Sequence, residues 1–300
     1  MKRNGIIGTV KEVYAEFGKD DVMTQAAALA FYTGLSLAPM LTVAVWIARN
    51  LFGDEAKKKI SDAFADVIGK TAAAPIDQLL VPATKQAEAG MTVAGIVSLG
   101  LVLFAATGVF AQLQSALNVV WGVEAKPRGS GIMDYARKRF LSFGMLLSIL
   151  FMLLTSMVIS TVIQGFLGST GDDGGGWVIA VVNMVVSFAL FTALFAALFK
   201  YVPDARLNWK SVGVGATVAS ALFIIGKFAL GLYLGRGSYE NSYGAAIGSF
   251  VALLVWVYYS AVILLIGAEV AQVYARRRGE RLEPEEHAVK VERHTDTLPA

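Results

Sequence analysis

The sequence predicts an all-α integral membrane protein, a six-transmembrane-helix bundle with a helical first extracytoplasmic loop. Three observations carry this. The 300-residue chain is 56% hydrophobic and only 16% charged, where soluble domains carry about 25% charged residues. Six apolar stretches reach the ~20 residues needed to cross a hydrocarbon core of about 30 Å. Basic residues also fall unevenly between the connecting segments.

The first 25 residues read as a polar cytoplasmic segment, since Met1 to Asp21 lacks the apolar core of a cleavable signal. The six-span membrane domain covers 26–274, with spans at about 26–52, 92–120, 141–167, 177–201, 211–234 and 244–274. Between the first two spans lies an outer loop, 53–91. There Ile60, Phe64, Val67 and Ile68 recur at helical spacing opposite Lys57, Lys58, Asp62 and Asp66, the pattern of an amphipathic helix on the bilayer or over the bundle. The charged tail, 275–300, carries Pro284 and is expected to be disordered.

Orientation follows from the basic residues. Arg137-Lys138-Arg139, Lys200, Arg206, Lys210 and Arg276-Arg277-Arg278 fall with both termini, whereas the loop 168–176 has no basic residue. Cationic loops stay inside, so both termini are expected in the cytoplasm of a bacterium, with the chain in its inner membrane. The net charge of +3 follows from this asymmetry and does not argue for nucleic acid. The chain has no cysteine, which excludes disulfides and thiolate metal sites. Both histidines, His287 and His294, lie in the tail. No metal, cofactor or catalytic residue is expected.

Ionisable and polar residues within the spans are the candidates for function, because each is costly there. Lys227 is foremost. It lies about ten residues from the outer end of its span, roughly 13–15 Å deep at 1.5 Å per residue, too deep for easy snorkelling. It either faces a polar cavity or is hydrogen-bonded structurally. In the first span Gly34, Ser36 and Pro39 mark a kink, since Pro39 removes a backbone donor; freed carbonyls there could line a passage. Gln114 and Asn118 share a helical face at i, i+4, with Trp121 placed as an interfacial anchor. Asn183 is a weaker candidate of the same kind. Glu269, near the cytoplasmic face, reads as a structural charge meeting Arg276 or another span's basic end; Arg236 and Glu240 are further structural charges. Gly34, Gly244 and Gly248 read as close helix-packing positions.

Several of these stretches together resemble the YihY/BrkB family of bacterial inner-membrane proteins. The matching pieces are Ala26 to Pro39, Ser115-Ala-Leu-Asn118-Val-Val-Trp121, and Pro203 ahead of Gly213 and Gly215. Lys227-Phe-Ala-Leu-Gly-Leu-Tyr233, Tyr243-Gly244, Trp256-Val-Tyr258 and Gly267-Ala-Glu269 complete the set. The resemblance covers about Asp20 to Tyr274 and implies a six-span helical protein. The family's alternative label, "ribonuclease BN", does not fit these residues. RNA hydrolysis needs metal-binding clusters or an acid/base pair near a phosphate site, and Glu124, Asp134 and Asp204 are scattered.

The function expected is a transporter or permease-like protein for a small, anionic solute or a lipid. The alternative is a non-catalytic structural or regulatory scaffold. A lipid-acting membrane enzyme is the weakest reading, for want of a paired-carboxylate or histidine constellation. The partners are the lipid bilayer and an unidentified small solute or lipid, not nucleic acid. The oligomeric state is left open.

Overall fold

The computed structural model describes residues 5–68, 77, 80, 81, 84, 108–125, 176–236, 245–281, 283–285 and 288–291. Over these the chain is mostly helical. In order it forms α1 (Ile6–Lys19), α2 (Val22–Phe52), α3 (Ala56–Ile68), α4 (108–121), β1 (Val123–Ala125) and α5 (Gly176–Tyr201). Then follow β2 (Ala205–Arg206), α6 (Trp209–Arg236), α7 (Ala245–Arg277), β3 (Glu283–Pro284) and β4 (Ala288–Lys290).

Three of the described helices hold stretches long and apolar enough to cross a membrane: Met184–Tyr201 in α5, Trp209–Lys227 in α6 and Phe250–Arg277 in α7. These coincide with the fourth, fifth and sixth expected spans. The expected first span lies within α2, whose helix starts at Val22. Of the expected second span only 108–120 is described, and the third, 141–167, lies outside the described residues.

The chain divides into two compact units. One comprises Met1–Met23, Leu113–Ala221 and Ile263–Ala300; the other comprises Thr24–Gln112 and Leu222–Val262. In the first, α6 and α7 meet backbone to backbone: a Cβ built on Gly215 would collide with the Gly267 carbonyl oxygen. Small residues permit that approach, and dispersion at short range replaces the hydrophobic drive that lipid removes. Ala216, Ala219, Ala268 and Ala271 are buried around the contact. In the second unit, a Cβ on Gly34 would lie 2.6 Å from Leu254 Cδ2, so α2 and α7 also pack closely. Phe223 and Trp256 meet edge to face at 6.1 Å, a favoured ring geometry.

The chain ends are more ordered than composition suggests, and the expected disorder of the tail is corrected. The polar segment before residue 26 holds α1 over most of its length. A corner at Asp20–Asp21 follows, where Asp21 has φ 49°, a left-handed conformation that aspartate tolerates. The tail expected to be disordered from residue 275 is instead helical to Arg277 and then pairs with distant loops. β4 lies antiparallel to β1, with Glu124 opposite Val289, and β3 lies antiparallel to β2, with Arg206 opposite Glu283. Local composition did not reveal these ladders because their partners are remote in sequence. Residues 292–300 lie outside the described residues.

Candidate functional site

Among the described residues of the first unit, three groups of polar side chains bear on function. At the first, the turn after α5 delivers Asp204 to one face of α4. Gln114 Nε2 donates to Asp204 Oδ1 at 2.9 Å and Asn118 Nδ2 donates to Oδ2 at 2.9 Å. The Asp204 backbone N–H donates to Asn118 Oδ1 at 2.8 Å, and Glu285 N–H donates to the Asp204 carbonyl at 3.0 Å. The two amide side chains, one helical turn apart, thus hold both carboxylate oxygens, and the second Asn118 bond fixes its amide orientation. Asp204 and Asn118 are buried, and a buried carboxylate tolerates that position when its lone pairs are filled.

The second place is different. Glu269 on α7 is 0% exposed, and no donor among the described residues reaches either of its carboxylate oxygens. The charged groups facing it are Asp20, Glu16 and Arg276, with the Asp20 carboxyl within hydrogen-bonding reach. Contact between two carboxyls is a hydrogen bond only when one of them carries a proton. Asp20 is itself buried, at the corner between α1 and α2.

The third place is the seam between α1 and the end of α7. Arg277 grips Glu12 in a two-pronged contact, Nε to Oε2 and Nη2 to Oε1, each at 2.9 Å, and reaches Thr9 Oγ1 at 2.6 Å. Arg276 Nη1 meets Glu16 Oε1 at 2.8 Å, and Lys19 Nζ reaches Glu16 Oε2 at 3.4 Å. The Arg277 hydrogen bond holds the Glu12 carboxyl below its ordinary pKa. At Glu16 partial burial pushes the pKa upward, but the hydrogen bond and charge of Arg276, with help from Lys19, outweigh it and leave the net shift downward. Planar guanidinium–carboxylate pairing of this kind is the geometrically specific form of ion pair.

The residues singled out from sequence are distributed as follows. Gln114 and Asn118 come together, as their spacing indicated, and their shared partner is Asp204. Lys227 lies on α6 in the second unit, partly buried and engaged with a neighbour. Ser36 is buried and donates to the Thr33 carbonyl at 2.9 Å, while α2 is helical through Pro39. Gly34 sits at the close contact with Leu254. The side chains of Pro39, Asn183 and Arg236 and the surroundings of Gly248 lie outside the described residues, as do Glu240 and Gly244 entirely. Glu269 was expected to meet Arg276 or another basic end; Arg276 lies near it but pairs with Glu16, and the groups facing it include Asp20 and Glu16, which sequence reading passed over. Glu12 and Glu16 could have been noticed: they stand at i, i+4, on the helix face opposite Ile7, Val10 and Tyr14. Nothing local pointed Asp20 toward a residue 249 positions later.

The family model described as Virulence factor BrkB matches residues 13–292. The chain belongs to this family. Its BrkB relatives include a UPF0761 membrane protein of Rhodospirillum centenum, 28% identical over 283 residues, covering 92% of this chain and 59% of the relative. A UPF0761 membrane protein of Ralstonia nicotianae is 30% identical over 262 residues, covering 85% of this chain and 56% of the relative. For one of Mannheimia succiniciproducens the identity is 27%, with 88% of each chain covered. The chain thus spans less than two thirds of the length of several curated relatives that it matches. No solved structure matches it. As a BrkB-family chain it is a membrane protein, and all three polar places must be read in that setting.

Proposed function

We propose that the protein is a permease-like transporter of the bacterial inner membrane, with six spans and both termini in the cytoplasm, passing a small anionic solute or a lipid. The supporting observation is that ionisable side chains are kept inside helices able to span the membrane. Lys227 closes the apolar stretch of α6, and Glu269 lies within that of α7. A charge in such a helix costs several kcal/mol unless it faces water, a partner or a substrate; Lys227 is engaged with a neighbour, and a cation held in place there is also available to an anion that reaches it. Lys227 would supply a fixed positive charge to an anionic passenger. In this reading the chain is not an enzyme.

A second reading is a non-catalytic scaffold. One observation favours it: Gln114 and Asn118, the polar face expected to line a passage, direct their amides at Asp204. The two readings separate in reconstituted vesicles. Efflux of chloride and inorganic phosphate, and flipping of a fluorescent phospholipid, would be followed for the wild type and for Lys227→Met and Lys227→Arg. Transport through Lys227 gives flux of at least one probe that Lys227→Met abolishes and Lys227→Arg partly keeps. Unchanged flux in both variants removes Lys227 from the mechanism, and no flux of any probe in the wild type favours the scaffold.

A further inference from the structure

Helix α1 is turned inside out relative to a helix resting on a water-facing surface. Its outward face carries Ile7, Val10 and Tyr14, which are 75%, 62% and 80% exposed. These residues stand at i, i+3 and i+7, so they form one stripe. Ala15 and Gly18, also exposed, extend it. The opposite face carries Thr9, Glu12 and Glu16, and these turn inward onto Arg277 and Arg276. A surface helix in water directs its charged face outward and its apolar face to the core. The reversal is the arrangement that suits an apolar medium outside α1.

Its position agrees. Arg276 and Arg277 close the membrane-crossing stretch Phe250–Arg277, so the clamp holds α1 at the depth where a span leaves the hydrocarbon. Two cations share the outward side: Lys11 lies within it, between Gly18 and Ala15, and Lys19 lies at its edge, both exposed, while Lys2 and Arg3 precede the helix in sequence. Long basic side chains at the rim of an apolar face reach headgroup phosphates while their stems stay in the apolar layer.

We propose that α1 is an interfacial membrane helix. Ile7, Val10 and Tyr14 enter the headgroup–acyl boundary of an anionic leaflet, Lys11 and Lys19 contact lipid phosphates, and the Glu12–Arg277 and Glu16–Arg276 pairs hold the helix to the end of α7. Carboxylates that would repel an anionic surface are thereby turned away from it and neutralised, while the attracting lysines stay outside.

The absence of cysteine makes the test direct. Single substitutions Ile7→Cys, Val10→Cys and Tyr14→Cys in the full chain, with Arg281→Cys as a control in the exposed turn after α7, would carry a nitroxide label. The proteins would be placed in nanodiscs of phosphatidylcholine and phosphatidylglycerol. Collision with oxygen, which partitions into lipid, is compared with collision with a water-soluble nickel chelate. The expected oxygen-to-nickel ratio is above one at 7, 10 and 14 and below one at 281. A ratio below one at all three stripe positions, or exclusion of both reagents by a second copy or another protein, overturns the proposal. Hydrogen exchange of the unsubstituted chain avoids any folding defect. Residues 6–19 should exchange more slowly with phosphatidylglycerol present than in phosphatidylcholine alone, and equal exchange overturns the anionic-lipid part of the proposal.

Discussion

Asp204 and Glu269 are both buried carboxylates of the same compact unit, yet their surroundings are opposite. Asp204 receives two side-chain donors, and its backbone groups are bonded as well. Among the described residues Glu269 is reached by no donor other than the facing Asp20 carboxyl, and the other charges near it are Glu16, a further acid, and Arg276. Burial alone therefore says little about a carboxylate's role. A satisfied one joins elements: Asp204 ties α4 to the α5–α6 turn and, through Glu285, to the tail. An unsatisfied one is a standing cost, and costs of this kind in membrane helices mark functional positions more often than structural ones.

The contrast can be broken most forcefully at Asp204. Replacing Asp204 by Ala strands the buried Asn118 amide and the part-buried Gln114 amide and frees the turn. Loss of one partner from a buried charged network costs about 3–5 kcal/mol, so the apparent Tm in detergent should fall far more than for any other change considered. A fall no larger than that of an exposed substitution would mean that the clamp contributes nothing. Asn118→Ala removes one donor and one acceptor and should cost roughly 1–3 kcal/mol, detected as a smaller fall in Tm. Glu269→Gln tests the other side of the comparison. The amide removes a charge that faces two other acids and can still hydrogen-bond the Asp20 carboxyl, so it should leave stability within about 1 kcal/mol of the wild type or raise it, while lowering any flux measured in vesicles. A destabilisation as large as that of Asp204→Ala would place Glu269 with the structural carboxylates.

The smallest expected effect is one of pH at the α1 seam. Glu12 and Glu16 both have pKa values lowered in the folded protein. Their contribution is therefore full above the ordinary carboxylate range and is lost as pH falls through the lowered folded values. Unfolding followed from pH 6 to pH 3 should show the wild type losing stability relative to a Glu12→Gln, Glu16→Gln double variant only below about pH 4.5. A constant difference across that range would show that the pairs act through shape and not charge. These groups are near the surface, where solvent screens them, so the change is small.

Much of the architecture was legible in the chain. The apolar runs ending at Tyr201, Leu234 and Tyr274 anticipated three helices, and the i, i+4 spacing of Gln114 and Asn118 placed both on one face. The close contact at Gly34 was anticipated from its residue type. The destination of that amide face was not legible, because Asp204 looks like one more loop acid until the turn after α5 is folded. The tail illustrates the same limit. Its charge and Pro284 suggested disorder, but pairing with β1 and β2 supplies backbone partners that composition cannot count. Sequence alone also gave α1 a polar reading, since one lysine and two glutamates within Lys11–Glu16 outweigh their neighbours in a local average.

What the sequence determined by itself was the solvent. Enough apolar residues occur in unbroken runs that water cannot surround them, and in hydrocarbon the backbone must bond to itself as helix. That constraint acts within a few residues and is written locally. Which carboxylates are satisfied, and which way α1 faces, were decided only by tertiary structure. Those outcomes depend on donors and cations far along the chain: Asn118 for Asp204, Arg277 for Glu12, Asp20 beside Glu269. Side-chain electrostatics extends only a few ångströms, so such pairs exist only once folding has closed the distance between them.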